Sequence, residues 1–461
     1  MLLTWGMNFL INAKTHLLTF SPLFLRNLTL RVQASPIGYR LARGMLWSLI
    51  GTVIARGLGL IASVVVARML GKVGFGEFGI IQSTVGLFSV FAGLGLGLTA
   101  TKYVAEFREK DPAKAGRIIA LSIWIAILSG SLLMLALLFA APWLATNILA
   151  APQIERLLQV SSLLIALGAV NGAQTGALAG FEAFRAIARV NLWSGIATFP
   201  LIVLGTMTFG LPGAVWGLVG GSIVSWAMNR GALSRKIKQA NIKVTLTGCQ
   251  EEFPILWKFS FPALLGSMLV GPVTWLCYTM LVNQPNGYAE MGAFNAANQW
   301  FILLMFLPGM LEQATLPMLS ERLGHGDETS TIKILKTSIK ANVGVIFPLI
   351  IIGSLLSGLI MSVYGAGFQE KWLTLVIVLF TAGLLAIQSP VSVLLQASGR
   401  IWLLTSTNFV WAGTFLLATF LLVSYGASGL ATARAIAYTV NGLAIFAYAY
   451  YMLRSSKLIS T

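Results

Sequence analysis

The side chain with the clearest chemical potential in this chain is Arg56, an arginine inside a long apolar stretch. The stretch covers residues 45–69, so Arg56 lies 11 residues from one end and 13 from the other. An arginine at the centre of a membrane helix costs at least ~2.5 kcal/mol, so it should face the protein interior and have a partner. A guanidinium can bind a phosphate or diphosphate group through two parallel hydrogen bonds. Arg56 is therefore a candidate contact for an anionic cargo, and a structural salt bridge is the alternative.

Glu312 is the only acid that lies well inside a predicted span, about six residues from the end of that span. Three roles are open for it. It forms an ion pair with Arg56 that breaks as the protein opens, or a gate with a loop cation, or it lies near the interface without a role. Arg68 and Lys102 are further candidates for a gate or for a contact between the two lobes predicted below.

Uncharged polar and aromatic side chains inside the spans are candidates for binding sugar, because amides donate and accept hydrogen bonds. Inter-helix hydrogen bonding is the alternative for the amides, and packing is the alternative for the two aromatic residues. These candidates are Asn171, Gln174, Trp275, Tyr278, Asn295, Asn298 and Gln299.

Residue types that serve metal, cofactor or nucleophilic chemistry are scarce. The sequence has two cysteines and two histidines, and both His16 and His325 lie outside the spans, so we predict no metal site and no cofactor. There is no glycine-rich loop ending in Gly-Lys-Ser/Thr and no set of nucleophile, histidine and acid. We therefore predict a protein that is not an enzyme.

The composition is that of a membrane protein. The 461 residues are 57% hydrophobic and 10% charged, and the mean hydropathy is +0.83. Apolar runs of ~20 residues cross a bilayer as helices, because lipid offers no partner for free backbone groups. We predict an all-α polytopic fold with about twelve spans, at 45–69, 77–98, 118–141, 158–181, 191–210, 212–229, 259–282, 292–318, 341–364, 372–397, 401–424 and 428–452.

A short pattern occurs twice, 213 residues apart, as Gly74–Gly79 (GFGEFG) and Gly287–Gly292 (GYAEMG). At the same offset Gly213-Ala214 recurs as Gly426-Ala427. Two echoes at one offset indicate a duplicated unit, which in membrane chains is typical of transporters. We predict two six-helix lobes related by a pseudo-twofold axis along the membrane normal, an N-lobe at 45–229 and a C-lobe at 259–452.

The charges predict the orientation. Of the 31 Lys and Arg residues, 25 fall in the N-terminal tail, the even-numbered loops and the C-terminal tail, and 5 fall on the opposite side, including Arg434 at the start of the last span. Cytoplasmic loops carry such an excess, so both termini are predicted to be cytoplasmic, in an inner or plasma membrane. The net charge of +17 is thus explained without a nucleic-acid partner.

Three segments lie outside the predicted lobes. Residues 1–44 are basic with short apolar stretches, which favours an interfacial anchor on membrane lipids; disorder and a processed signal segment are the alternatives. Residues 230–258 form a cytoplasmic connection between the lobes, and residues 453–461 form a cytoplasmic tail.

The region around the first echo resembles the oligosaccharide flippases of the multidrug/oligosaccharidyl-lipid/polysaccharide exporter superfamily. The resemblance rests on Ala67–Gly71, Gly74–Gly79, Ala92–Gly97, Thr99–Glu106, Asp111-Pro112 and Ala115–Arg117. It is dense over residues 45–120, and it implies two six-helix lobes around a cavity that opens alternately to each side.

The resemblance further implies a cargo of lipid-diphosphate-linked oligosaccharide, usually on undecaprenyl, moved from the cytoplasmic to the outer leaflet. By position, Arg56 matches the cationic cavity that receives the diphosphate in related flippases. Contacts with a glycan polymerase or assembly proteins are also implied. The alternatives are a multidrug or small-cation exporter of the same fold, and a membrane glycan polymerase or ligase.

Overall fold

A computed structural model describes residues 36–253 and 268–455, and within these ranges the chain is almost entirely helical. The described residues include eight helices long and apolar enough to cross a membrane, and a shorter apolar helix at Val270–Val282. The predicted all-α membrane fold is confirmed. The count of twelve crossings stays a prediction, although three of the eight segments are 50 to 56 residues long, enough for two crossings each.

The helices fall where the spans were predicted. In the N-terminal half they are α1 Pro36–Gly93, α2 Leu96–Phe107, α3 Pro112–Trp143, α4 Glu155–Ser161, α5 Leu163–Gly180 and α6 Phe184–Gln239. In the C-terminal half they are α7 Val270–Val282, α8 Gly287–Gly324, α9 Glu328–Leu355, α10 Ser357–Ser362, α11 Trp372–Ala397, α12 Ile401–Leu422 and α13 Gly426–Ser455.

Single glycines divide the two longest helices. Gly71 in α1 has φ 68° and ψ −177°, and Gly210 in α6 has φ 62° and ψ −137°. Residues with a Cβ atom rarely adopt these angles, so glycine allows the chain to turn sharply between two helical segments. The break at Gly71 falls between the predicted spans 1 and 2, and the break at Gly210 falls on the last residue of the predicted span 5.

The connection between the halves packs against the N-terminal half. Its short helical turn Cys249–Glu252 places a carboxylate beside the start of α3. The Glu252 side chain is 3% exposed, with Oε1 2.9 Å from Arg117 Nη2 and Oε2 3.7 Å from Lys114 Nζ. The following parts lie outside the described residues: 254–258 of the predicted connection, 259–267 of span 7, 1–35 of the N-terminal segment and 456–461 of the tail.

The two copies of the repeated pattern lie against each other where α1 packs on α8. A Cβ atom added to Gly76 would lie 1.9 Å from the Tyr288 carbonyl oxygen, and one added to Gly292 would lie 2.0 Å from the Lys72 carbonyl oxygen. Only glycine permits this approach of two backbones. We call the end of the molecule that carries Gly74–Gly79 and Gly287–Gly292 the sealed end.

Aromatic rings fill the space beside this backbone contact. The Phe75 ring lies 6.3 Å from the Tyr364 ring and 6.4 Å from the Phe368 ring, and all three side chains are fully buried. Because Phe75 belongs to the first half and the other two to the second, the cluster joins the halves. Burial of aromatic surface of this size stabilises the contact strongly.

Hydrogen bonds to main-chain carbonyls complete the sealed end. Tyr288 donates its hydroxyl to the Leu149 carbonyl at 2.7 Å, and the Asn283 side chain donates to the Ile148 carbonyl at 2.8 Å. Arg68 donates from Nε to the Val363 carbonyl. Every one of these bonds crosses from one half of the chain to the other.

The two acids of the repeated pattern instead anchor each copy within its own half. Glu290 forms an ion pair with Lys371 at 2.6 Å and accepts a hydrogen bond from the Ala427 amide at 2.8 Å. Glu77 accepts from the Gln153 side chain at 2.8 Å. Ala427 belongs to the second copy of the Gly-Ala repeat, and Glu290 belongs to the second copy of the six-residue pattern. The hydrogen bond between them therefore connects the two repeated segments of the second half.

Candidate functional site

Arg56 lies at the junction of the two halves, on α1 and facing α8. Its Nη1 atom donates to the Ile302 carbonyl at 3.2 Å, and its guanidinium carbon lies 4.8 Å from the centre of the Phe306 ring. The side chain is exposed, and no carboxylate within the described ranges forms an ion pair with it. Its other N–H groups are therefore available to an anion.

The proposed ion pair between Arg56 and Glu312 does not form in this structure. Glu312 lies ten residues beyond Ile302 on α8, which is about 15 Å along the helix axis. It is half-buried and makes no ion pair with another described residue. The structural salt bridge considered for Arg56 is thus not seen, and the gate role of Glu312 stays a prediction.

A cavity of about 320 Å³ opens beside Arg56. Its size is at the lower end of the range of small-molecule sites, roughly 300–1,000 Å³. Apolar side chains form most of the wall, and α1, α6 and α8 supply its polar groups: Arg56, Ser63, Gln82, Thr198 and Gln299. One cation with neutral donors in an otherwise apolar wall suits an anionic head group.

The other two gate candidates take different positions. Arg68 belongs to the sealed end through its bond to Val363, so it contacts the opposite half of the chain. The Lys102 ammonium lies 4.9 Å from the ring of its neighbour Tyr103 on α2. The structure therefore brings Arg68 into a contact between the halves.

Four of the predicted amides lie outside the Arg56 cavity. Asn295 is buried. Gln174 is also buried, and its Oε1 atom has no hydrogen-bond partner in the described part of the chain. Asn171 lines a second groove within the N-terminal half, and Asn298 binds an arginine. Only Gln299 of the predicted amides lines the same cavity as Arg56.

The two aromatic candidates are packing residues in this structure. Trp275 is 8% exposed and donates its indole N–H to the Thr84 hydroxyl of the other half at 2.9 Å. Tyr278 is buried, with its ring 5.4 Å from Phe294 in an edge-to-face arrangement. Neither residue lines the Arg56 cavity.

Sequence reasoning missed a buried cation, Arg434 on α13. It is 5% exposed, donates from Nη1 to Asn298 Oδ1 at 2.8 Å, and its guanidinium carbon lies 4.5 Å from the Phe301 ring and 5.0 Å from the Phe294 ring. Its Nε and Nη2 atoms have no hydrogen-bond partner among the described residues. The signal was present, because residue 434 lies six positions inside the predicted span 428–452.

Comparisons with known proteins identify the family of the chain. A family model described as "Polysaccharide biosynthesis protein" matches residues 41–322. The EPS I polysaccharide export inner membrane protein EpsE of Ralstonia nicotianae is 23% identical over 394 residues, which cover 84% of this chain and 88% of the relative. The succinoglycan biosynthesis transport protein ExoT of Rhizobium meliloti is 22% identical, with coverages of 90% and 80%.

Solved structures share the fold. An inward-facing multidrug resistance MATE family transporter of the MOP superfamily has a TM-score of 0.74 at 14% identity, covering 89% of this chain and 96% of its own. The lipid II flippase MurJ in an inward closed conformation has a TM-score of 0.67 at 16% identity, with coverages of 88% and 87%. The resemblance seen in the sequence is confirmed. Because the family model spans more than half of its residues, the chain belongs to the polysaccharide biosynthesis protein family.

Proposed function

We propose that this protein is a flippase that moves lipid-diphosphate-linked oligosaccharide from the cytoplasmic to the outer leaflet of the cell membrane by alternating access. The observation that carries the proposal is Arg56, an exposed guanidinium without a carboxylate partner in the described ranges, on the wall of a cavity between the halves. A diphosphate carries the negative charge that would balance the Arg56 guanidinium. A guanidinium matches its oxygens better than an ammonium does, because two parallel N–H groups bind together.

The contacts at the sealed end support alternating access. Backbone approach, an aromatic cluster and three hydrogen bonds join the halves there. A transporter that exposes its cavity to one side must close the other side with contacts that can also break. With the orientation that the charges predict, the sealed end faces away from the cytoplasm and the Arg56 cavity receives cargo from the cytoplasmic side.

The relatives support the class of cargo. EpsE is named for polysaccharide export and ExoT for succinoglycan biosynthesis transport, and we extend polysaccharide precursor transport to this chain. The lipid that carries the glycan is proposed to be undecaprenyl diphosphate, whose tail stays in the bilayer while the head group crosses. A glycan polymerase or assembly protein would receive the product at the outer surface.

The test is translocation of lipid-linked oligosaccharide in vesicles reconstituted with purified protein. Arg56→Ala should slow translocation by roughly 10- to 100-fold, the effect of losing a charge-assisted hydrogen bond of about 1.5–3 kcal/mol. Arg56→Lys should retain part of the rate, since it keeps the charge and loses the paired donors. Arg235→Ala, which removes an exposed cation near the end of α6, is the matched control. Equal rates for Arg56→Ala and Arg235→Ala would show that Arg56 does not contact the cargo.

A further inference from the structure

A second cavity, of about 480 Å³, lies within the N-terminal half between α2, α5 and α6. Its polar lining comes from all three helices. We call it the amide groove and define it by Thr101, Asn171, Thr175, Asn191, Ser225 and Asn229. Of these residues, the sequence had pointed only to Asn171.

The hydrogen-bonding groups of the amide groove are poorly used by the protein. Asn229 donates to Asn171 Oδ1 at 3.4 Å, and Asn171 donates to the Ser222 carbonyl at 3.4 Å, both at the limit of a hydrogen bond. Within the described ranges, the side chains of Thr175, Asn191 and Ser225 make no hydrogen bond. Polar groups inside a membrane protein are costly unless they find a partner. The groove therefore offers donors and acceptors to a ligand.

The lining of the groove contains no charged side chain. Glycines bring α2 and α5 together along one side, since an added Cβ on Gly176 would lie 2.1 Å from the Gly97 carbonyl oxygen. Neutral amides and hydroxyls that can both donate and accept suit a neutral polyhydroxyl ligand.

The amide groove lies in line with the Arg56 cavity along α6. Thr198 lines that cavity and Asn191 lines the groove, seven residues apart on the first segment of the helix. Leu218 and Ser225 show the same seven-residue separation on the second segment. Seven residues correspond to about 10 Å along the axis. A glycan whose diphosphate is bound at Arg56 would extend into the groove over that distance.

We infer that the amide groove binds neutral sugar residues of the glycan whose diphosphate contacts Arg56. The inference rests on the proposed function, which supplies the lipid-diphosphate-linked cargo. Two sites then share the recognition of the cargo. Arg56, at the junction of the halves, recognises the diphosphate charge, and the amide groove, within the N-terminal half, recognises the sugar hydroxyl groups. The two sites therefore respond differently to a ligand without sugar.

The test measures dissociation constants of the full-length protein in lipid nanodiscs for two probes. One is the lipid-linked oligosaccharide extracted from the protein's host, and the other is undecaprenyl diphosphate without sugar. Asn191→Ala and the nearly isosteric Thr175→Val should each raise the constant for the sugar-bearing probe by roughly threefold to tenfold, the effect of one neutral hydrogen bond. Neither should change the constant for the bare diphosphate, which also shows that the variants are folded.

Arg56→Ala should weaken binding of both probes, and Asn147→Ala, at an exposed amide near the sealed end, should weaken neither. Unchanged binding of the sugar-bearing probe by both groove variants would overturn the inference, as would equal weakening of the two probes. A wild-type protein that binds the bare diphosphate as tightly as the sugar-bearing lipid would overturn the amide groove alone. A wild-type protein that binds neither probe would overturn the proposed function as well.

Discussion

Gly76→Ala should push the two halves apart at the sealed end. The new Cβ would lie 1.9 Å from the Tyr288 carbonyl oxygen and 3.0 Å from the Gly292 amide nitrogen. Both are backbone atoms, so no side-chain rotation relieves the clash, and one helix must move by more than about 1 Å to restore an ordinary contact distance. Overpacking of this kind typically costs about 1–3 kcal/mol. The cost falls on the conformation in which α1 and α8 are in contact and is absent once they separate.

A free-energy difference of about 1–3 kcal/mol shifts a two-state equilibrium by roughly 5- to 150-fold. The conformation open at the sealed end should therefore rise from a minor to a readily detected population. Gly292→Ala should act in the same way, because its Cβ would lie 2.0 Å from the Lys72 carbonyl oxygen. Gly86→Ala is the matched control on the same helix, where nothing lies within 4 Å of the added atom.

The assay is electron–electron double resonance between spin labels at Asn147→Cys and Tyr425→Cys, two exposed positions near the sealed end, one in each half. Cys249 is replaced by serine to avoid labelling at that site. The wild type and Gly86→Ala should give one short distance, and Gly76→Ala should add a longer one. The reasoning is refuted if Gly76→Ala has the elution volume and unfolding midpoint of the wild type and gives the same label-to-label distances as Gly86→Ala. The contact at Gly76 would then not determine whether the sealed end is closed.

Two further substitutions test the electrostatic reasoning. Glu252→Gln should lower the free energy of unfolding by roughly 3 kcal/mol. This is the lower end of the range for breaking a buried ion pair, because the cations paired with Glu252 keep some access to water. Glu182→Gln, in the exposed pair with Arg108, should cost less than about 1 kcal/mol, and equal losses of stability in the two variants on thermal unfolding would contradict this reasoning. Arg434→Met should have an unfolding midpoint no lower than that of the wild type, since Arg434 is a buried charge without a carboxylate partner among the described residues, and such a charge is costly. The same substitution should weaken binding of undecaprenyl diphosphate. A lower midpoint with unchanged binding would contradict both expectations.

The helical segments were predictable because hydrophobic length alone sets them. The predicted span 372–397 has the same ends as helix α11. The glycine breaks were predicted only as short gaps between spans. The sequence does not show that Gly71 and Gly210 adopt left-handed angles within otherwise continuous helices, because many glycines in this chain sit in ordinary helical turns.

The contact between the repeated patterns could not be predicted from their repetition. A repeat suggests that two segments are equivalent, but it contains no information on their distance from each other in the fold. Gly76 and Gly292 touch because the pattern lies close to the junction of the halves. A copy at the periphery would have produced the same echo in the sequence. The spacing of the glycines in the pattern indicates only that the helices that carry them can approach another helix closely.

The candidate site was predicted in part for a related reason. Arg56 was identifiable because a charge at the centre of a span is conspicuous, and Gln299 joined it through the amide content of span 8. The amide groove was not identifiable, because Asn191 and Asn229 lie at predicted span ends, where polar residues are common. Arg434 was counted with the loop cations because it lies near the start of its span, although its position six residues inside that span was a signal for burial.

The position of Arg434 changes the electrostatic picture of the cavity. Both arginines contact α8: Arg56 through Ile302 and Phe306, and Arg434 through Asn298 and two neighbouring rings. Residues 298 and 302 are one helical turn apart, about 6 Å along the helix axis, and each arginine adds the reach of its own side chain. Two unit charges ~10 Å apart interact by about 1–2 kcal/mol at an effective dielectric constant of 20. An anion bound at Arg56 would therefore gain a comparable attraction from a cation that it never touches, which makes the second half electrostatically important although its span 7 carries no charge among the described residues.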